Sequence, residues 1–300
     1  MFWKCRVAFM QQLSFIPENT HKIVNVASVK QRSPFRYPGG KTWLVPRIRR
    51  WLFSLPALPA EFFEVFAGGA IVGLTVAADK LATHVTLVEL DEQVAAVWRA
   101  ILGGEGEWLA EAILTFEFSP ENVERILSRG SSSQRERAFE TILKNRVNHG
   151  GILAPGAGRI RTGEGRRGMQ SRWYPETLYH RILEIVSLRD RLTFIQGDGL
   201  QVLRDHADDA DTVFFIDPPY TAAGKRAGSR LYTYHELDHE LLFSIAETLR
   251  GDFLMTYDNC QGVRQLARKH GFDMEPIAMK NTHHAEMTEL LIGKNLDWLR

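Results

Sequence analysis

Residues 61–90, EFFEVFAGGAIVGLTVAADKLATHVTLVEL, decide how the rest of the chain is read. EFFEVF (61–66) fits a short buried strand, GGAIVGLTVAADK a glycine-rich turn entering a helix, and HVTLVEL (84–90) a second strand. Gly68 and Gly69 let the backbone turn tightly and approach a ligand closely. Glu89 ends the second strand, where an acid commonly accepts hydrogen bonds from the two hydroxyls of a ribose. A glycine turn alone also serves packing in many α/β proteins. The full order of strand, turn, helix, strand and acid points to a nucleoside-containing cofactor on a parallel sheet. Nicotinamide, flavin and S-adenosylmethionine proteins share that order, and the spacing does not choose among them.

The same alternation continues on both sides. DEQVAAVWRAIL starts a helix with acids in its first turn, where the helix dipole favours them. Upstream, residues 41–53 have the pattern of an amphipathic helix, with Pro46 a blemish in its first turns. From about residue 104 to 189 helices are expected near 105–116, 132–147 and 175–187, with no convincing strand. Beyond that, LTFIQGD, DTVFFID and DFLMTYD read as strands, 236–249 and 259–268 as helices, and 272–279 and 287–293 as closing strands. The expected organisation is an α/β catalytic domain of residues 33–104 and 190–300, interrupted by a mostly helical insertion at 105–189. Residues 1–32 lack periodicity and are expected to be a loosely attached arm or a segment outside the fold.

Bulk properties narrow the class. The chain has 300 residues, 44% hydrophobic and 24% charged, a globular composition with room for one large domain carrying an insertion. Net charge is +1, so any face for a polyanion must be local. Cys5 and Cys260 are isolated, which fits a reducing cytoplasm and no cysteine metal site. Glu61 and Glu64 interrupt the apolar stretch 51–80, and the opening MFWKCRVAFMQQLSFIP is too broken for a signal peptide, so no membrane association is expected. His283 and His284, adjacent on a strand, point to opposite faces and form no metal pair.

Two further motifs carry chemistry. In FFIDPPY (214–220), Asp217 stands where a parallel strand ends, at the rim where α/β sheets bind ligands. Pro218 and Pro219 donate no backbone N–H, so a carbonyl stays fixed beside the carboxylate as a second acceptor, and Tyr220 offers an aromatic face. A primary amine on a heteroaromatic ring satisfies all three. In RYPGGK (36–41), Pro-Gly-Gly is a turn. Lys41 is then either a solvated first-turn residue or, with Tyr37, a neighbour of a bound cofactor's carboxylate end.

RYPGGK, FAGGA, VEL, IDPPY and the tail HHAEMTELLIGKNLDWL, in this order, resemble the D12 (Dam-like) class of N6-adenine-specific DNA methyltransferases, with the α-class order of motifs. The resemblance runs from about Ser33 to Leu299. It implies a Rossmann-like, S-adenosylmethionine-dependent methyltransferase sheet with an inserted target-recognition domain, acting on double-stranded DNA. It implies cofactor-binding roles for Tyr37, Lys41, Phe66, Gly68, Gly69, Ala70, Glu89 and Asp198, and catalytic roles for Asp217, Pro218, Pro219 and Tyr220. Ala70 departs from the family's Phe-x-Gly-x-Gly turn, a departure that Gly69 next door softens, and Glu89 stands where many relatives have Asp.

The amine chemistry agrees with that likeness. Hydrogen bonds from the adenine amine to Asp217 and the Pro218 carbonyl localise its lone pair for in-line attack on a sulfonium methyl. The base must leave the duplex for this, with Tyr220 as its stacking partner. The insertion is then expected to read DNA. Between Arg159 and Arg172, five arginines (Arg159, Arg161, Arg166, Arg167, Arg172) face one glutamate. KNRVNHGG (144–151) resembles the start of the family's DNA-reading hairpin, which makes Asn145, Arg146, Asn148 and His149 candidates. Lys225, Arg226 and Arg230 form a second basic loop that could clamp the strand around the flipped base. Competing readings are methylation of cytosine N4 or of RNA adenine, a DNA-binding protein with a decayed cofactor site, and a nucleotide-dependent oxidoreductase, against which IDPPY argues. A monomer is expected, in a prokaryotic or phage setting; a restriction endonuclease companion is left open.

Overall fold

Side-chain alternation along the short apolar runs places a core on each face of one sheet. Phe62, Phe215 and Leu87 belong to one buried cluster, while their neighbours Phe63, Phe214, Ile216 and Val88 belong to the other. The strands are β1 (Glu61–Glu64), β2 (His84–Glu89), β3 (Leu192–Gln196), β4 (Thr212–Ile216), β5 (Asp252–Asp258), β6 (Asp273–Lys280) and β7 (Glu286–Gly293). This computed structural model describes residues 23–220, 231, 233–234, 236–280 and 286–300. Lys225, Arg226, Arg230, His283, His284 and most of the expected arm therefore lie outside the described residues.

The sheet order is β3-β2-β1-β4-β5-β7-β6, with β7 antiparallel to both its neighbours and the first five strands parallel. The chain runs outward from β1 through β2 to β3, then returns to β4 on the other side of β1. Adjacent crossovers diverge at that point, leaving a crevice at the carboxyl ends of β1 and β4. Every strand boundary expected from the sequence lies within two residues of the observed one.

The helices refine the sequence reading. Thr42–Leu44 is a 3₁₀ turn leading into α1 (Val45–Ser54), so Pro46 occupies the first helical turn. No N–H is required of it there, and Pro46 starts the helix rather than disturbing it. α2 (Ile71–Asp79) follows the glycine turn, and α3 (Glu92–Ala100) is capped by Asp91, which accepts from the N–H groups of Gln93 and Val94. The insertion holds α4 (Gly106–Thr115), α5 (Pro120–Arg129), α6 (Gln134–Val147) and α7 (Pro175–Val186). α5 is an addition to the three expected helices, and its signal was present: Ser119 caps Asn122 N at 3.1 Å and Pro120 opens the first turn. Helices α8 (Gly199–Asp205), α9 (His239–Thr248) and α10 (Gln261–Lys269) cover the second face.

Two expectations about organisation need adjustment. Ile142, Leu143, Val147, Leu178 and Ile182 of the insertion share one hydrophobic cluster with Trp98 and Val97 of α3. The insertion is thus packed into the first core layer and has no separate core. Residues 23–32 are not loose either: Val29 is buried in that cluster, and Arg32 pairs with Asp79 and Glu184. Among the described residues, no helix is long and apolar enough to cross a membrane.

Ala70, the departure from the family pattern, sits in the left-handed region at φ 50° and is buried. An alanine there carries a backbone penalty of about 1–2 kcal/mol that glycine escapes, offset by glycine's greater unfolded-state freedom of about 0.4–1 kcal/mol. Ala70→Gly is expected to stabilise the fold by about 0.5–1 kcal/mol, read as a raised midpoint in chemical or thermal unfolding; a lowered midpoint contradicts the strain.

Candidate active site

The cofactor side of the crevice is built from turns. Tyr37-Pro38-Gly39-Gly40 closes through a Gly40 N–H to Tyr37 carbonyl bond of 3.2 Å, with Gly39 at φ 75°. This is the type II turn that Pro-Gly encodes. It lays the Tyr37 ring on the glycine turn after β1, where a Cβ on Gly68 would lie 2.4 Å from the ring, and one on Gly69 3.0 Å from Ser33 Oγ. Gly68 also has φ 47°, so its lack of a side chain is required twice.

Glu89, at the end of β2, accepts from Gly68 N through Oε2 and from Asp91 N through Oε1, each at 2.8 Å. Each oxygen retains a lone pair, so the carboxylate can still receive two ribose hydroxyls. Burial pushes its pKa up to about 7, opposed by the N–H groups of Asp91 and Gly68. Phe66 lies against Gly199, and exposed Asp198 caps α8 by accepting from Leu200 N at 2.9 Å. Phe66, Gly68, Gly69, Glu89 and Asp198 thus stand at the carboxyl ends of β1, β2 and β3, with Tyr37 over them. The set suits a nucleoside: a glycine cradle, a ribose acceptor and a ring neighbour.

The opposite side is an ionic cluster. Lys41, only 3% exposed, places Nζ 2.9 Å from the Gly39 carbonyl, 2.9 Å from Asp217 Oδ1 and 3.7 Å from Glu289 Oε2. The Tyr220 hydroxyl and Thr256 Oγ1 also reach Asp217 Oδ1, at 3.0 and 2.6 Å. All three groups meet the same oxygen; Oδ2 takes none of these contacts. Pro218 is buried beside it, with Pro219 half-buried next in line. The Tyr220 ring stacks on Tyr257 (centroids 5.9 Å, 22°), lies under the Lys41 ammonium at 5.0 Å, and bonds Glu289 through its hydroxyl at 3.1 Å. Its ring is therefore engaged within the protein, unlike the free stacking face expected. Glu64 of β1 is buried nearby and accepts from Gly73 N at 2.6 Å; burial raises its pKa to about 8, helped by the charge of Asp217.

Lys41 and Asp217 were expected to be near the crevice, but their direct ion pair was not. Thr256, Glu289 and Glu64 were missed altogether. An acid inside the apolar run MTELLIG and another inside EFFEVF were the available signals.

The expected DNA residues divide. Asn145, Arg146 and Asn148 are buried at 0%, 4% and 3% exposure. Asn145 accepts from Arg36 N and donates to the carbonyls of Arg36 and Gly151, Arg146 donates to the Pro34 carbonyl, and Asn148 donates to the Ile152 carbonyl. Their side chains hold residues 34–36 and the following turn and are buried rather than facing solvent. His149, Arg161, Arg166 and Arg167 are exposed, whereas Arg159 pairs with Glu124 and Arg172 is half-buried. Asn148 and Arg159 form an antiparallel bridge, the hairpin-like base from which the exposed arginines extend.

A glycine turn, an acid at the end of the next strand and a rim carboxylate on this mostly parallel sheet fit a Rossmann-like methyltransferase that uses S-adenosylmethionine. The chain belongs to the D12 class N6 adenine-specific DNA methyltransferase family, whose model matches residues 37–282. No curated protein matches it. Similar solved structures include the rRNA methyltransferase aviRa from Streptomyces viridochromogenes (14% identity, 93% of this chain and 92% of that one, TM-score 0.37). A precorrin-6y C5,15-methyltransferase from Geobacter metallireducens GS-15 (10%, 84% and 86%, 0.37) and a SAM-dependent methyltransferase from Agrobacterium tumefaciens (10%, 82% and 58%, 0.39) are also similar.

Glu89 supplies a pH test. Its ionised form offers both oxygens to the ribose, and protonation removes one acceptor. Affinity for S-adenosylmethionine, followed by calorimetry, is expected to rise with pH through about 7. Glu89→Gln is expected to weaken binding roughly tenfold and to flatten that rise; an unchanged slope contradicts the assignment.

Proposed function

We propose that the protein methylates the N6 amine of adenine within a specific sequence of double-stranded DNA, acting on a base turned out of the duplex. One observation carries this reading: Asp217 stands at the switch-point crevice with Oδ1 fixed by Lys41, Tyr220 and Thr256, beside the rigid Pro218. A carboxylate oriented this way by three donors presents its other oxygen and the neighbouring backbone carbonyl as an acceptor pair. Two N–H bonds of an exocyclic amine match that pair.

When bound, S-adenosylmethionine supplies an electrophilic methyl group on its sulfonium. The chain's own residues do the rest. Glu89 and the Gly68–Gly69 turn hold the nucleoside end, and Tyr37 covers it. Asp217 Oδ2 and the Pro218 carbonyl draw the amine hydrogens into hydrogen bonds, which localises the nitrogen lone pair and points it along the line of transfer. Asp217 then accepts the proton that the methylated nitrogen releases. The family match and the exposed Arg161, Arg166 and Arg167 support a DNA target, with arginines suited to phosphates and guanine edges.

Full-length protein, methyl-labelled S-adenosylmethionine and DNA free of adenine methylation provide the test, with RNA as a parallel acceptor. Digestion to nucleosides is expected to place the label on N6-methyl-2′-deoxyadenosine from DNA. Asp217→Ala is expected to lower transfer by at least about 10²-fold while still binding cofactor. Label on cytosine or only on RNA, or an active Asp217→Ala, overturns the reading.

A further inference from the structure

The Tyr220 hydroxyl has one proton and two carboxyl neighbours, Asp217 Oδ1 at 3.0 Å and Glu289 Oε2 at 3.1 Å. It can donate to only one of them. If both carboxyls were ionised, one would face the hydroxyl oxygen without a hydrogen between them, in a site where Glu289 is almost fully buried.

The charges around Glu289 sharpen the choice. Among the described residues, Lys41 is the cation within reach, 2.9 Å from Asp217 but 3.7 Å from Glu289. From the end of β4 come Asp217 and Tyr220, from β5 Asp258, paired in register with Glu289, and from β6 the uncharged Ile277. Glu64 adds a further acid behind Asp217. Burial, Asp217 and Asp258 all push the Glu289 pKa up, and Lys41 and a hydrogen bond from Tyr220 only partly counter them. One ammonium among these acids neutralises one close carboxylate, and distance makes that Asp217.

We propose that Glu289 is a positioning residue acting as a neutral acid: its carboxyl proton goes to the Tyr220 oxygen, which directs the single hydroxyl proton onto Asp217 Oδ1. This rests on the reading of Asp217 as the group that holds the substrate amine. A neutral Glu289 keeps Lys41 and Tyr220 committed to Asp217, so that Oδ2 stays presented to the amine. Ionisation of Glu289 places a second anion beside Lys41 and takes the Tyr220 proton away, and turnover falls on the alkaline side.

Methyl transfer to unmethylated genomic DNA, measured against pH for the full-length protein, tests this. Glu289→Ala is expected to lower kcat roughly tenfold with little change in KM for S-adenosylmethionine. Glu289→Gln, which keeps both a donor and an acceptor, is expected to recover most of that loss and to abolish the alkaline fall. In a Tyr220→Phe background, Glu289→Ala is expected to add little. Glu289→Gln as inactive as Glu289→Ala, or an alkaline fall that survives it, overturns the proposal; so does a Glu289→Ala variant with wild-type kcat. Thermal unfolding and cofactor binding identify a variant that fails to fold, and the pH profile of Glu289→Gln then decides alone. Asp217→Ala in the same assay separates the two failures. If it remains active, the role of Asp217 falls; if it is inactive while Glu289 variants miss their pattern, only the role of Glu289 falls.

Discussion

Lys41 carries a charge into an almost fully buried position, and the rim of the sheet is arranged around that fact. A buried ammonium without a partner costs several kcal/mol, and removing one member of a buried pair typically destabilises by about 3–5 kcal/mol. The Gly39 carbonyl and the Asp217 carboxylate meet the requirement. In doing so they tie the turn at 37–40, which precedes β1 in sequence, to the end of β4. The two sides of the crevice are therefore joined by one ion pair.

The same pair explains why so many acids collect there without mutual expulsion. Glu64, Asp217 and Glu289 converge on a region with one close ammonium among the described residues, and burial raises the pKa values of both Glu64 and Glu289. Asp217 alone has three donors on one oxygen. The site thereby separates its acids by environment, gathering side-chain donors on Asp217 while burial favours the neutral forms of Glu64 and Glu289. For Glu64 the folded state holds its proton more tightly than the unfolded chain. Its contribution to stability is full in acid and is lost as pH rises through about 8.

The insertion is coupled to this arrangement through the backbone. Asn145 and Arg146 on α6 and Arg181 on α7 hold the backbone groups of residues 33–36, immediately before the Tyr37 turn. Gly151, whose added Cβ would fall 1.9 Å from the Arg36 carbonyl, packs directly on the same segment. The helical insertion is thus bonded to the strip that precedes the Tyr37 turn. Residues that looked like readers of bases because they are Asn and Arg in a basic stretch serve this clamp, and the exposed Arg161, Arg166 and Arg167 beyond it carry the positive surface.

By itself the sequence determined the parallel sheet, the glycine turn with an acid ending the next strand, and the rim carboxylate in IDPPY. Each depends on residues close together in the chain: periods of two and 3.6, turn chemistry, and an acid at the end of an apolar run. It also held the type II turn before Lys41 and the cap of α5. Only the tertiary structure decided which acids meet. Glu289 shares Lys41 and Tyr220 with Asp217 because β7 runs antiparallel beside β5, so the early residues of β7 lie at the same rim as the last residues of the parallel strands. Burial likewise separated Asn145, Arg146 and Asn148 from the exposed arginines, since composition is alike for a side chain that binds backbone and one that faces solvent. Local pattern fixes what each segment is; partnership across long sequence separation, in a low-dielectric interior, fixes what its polar groups do.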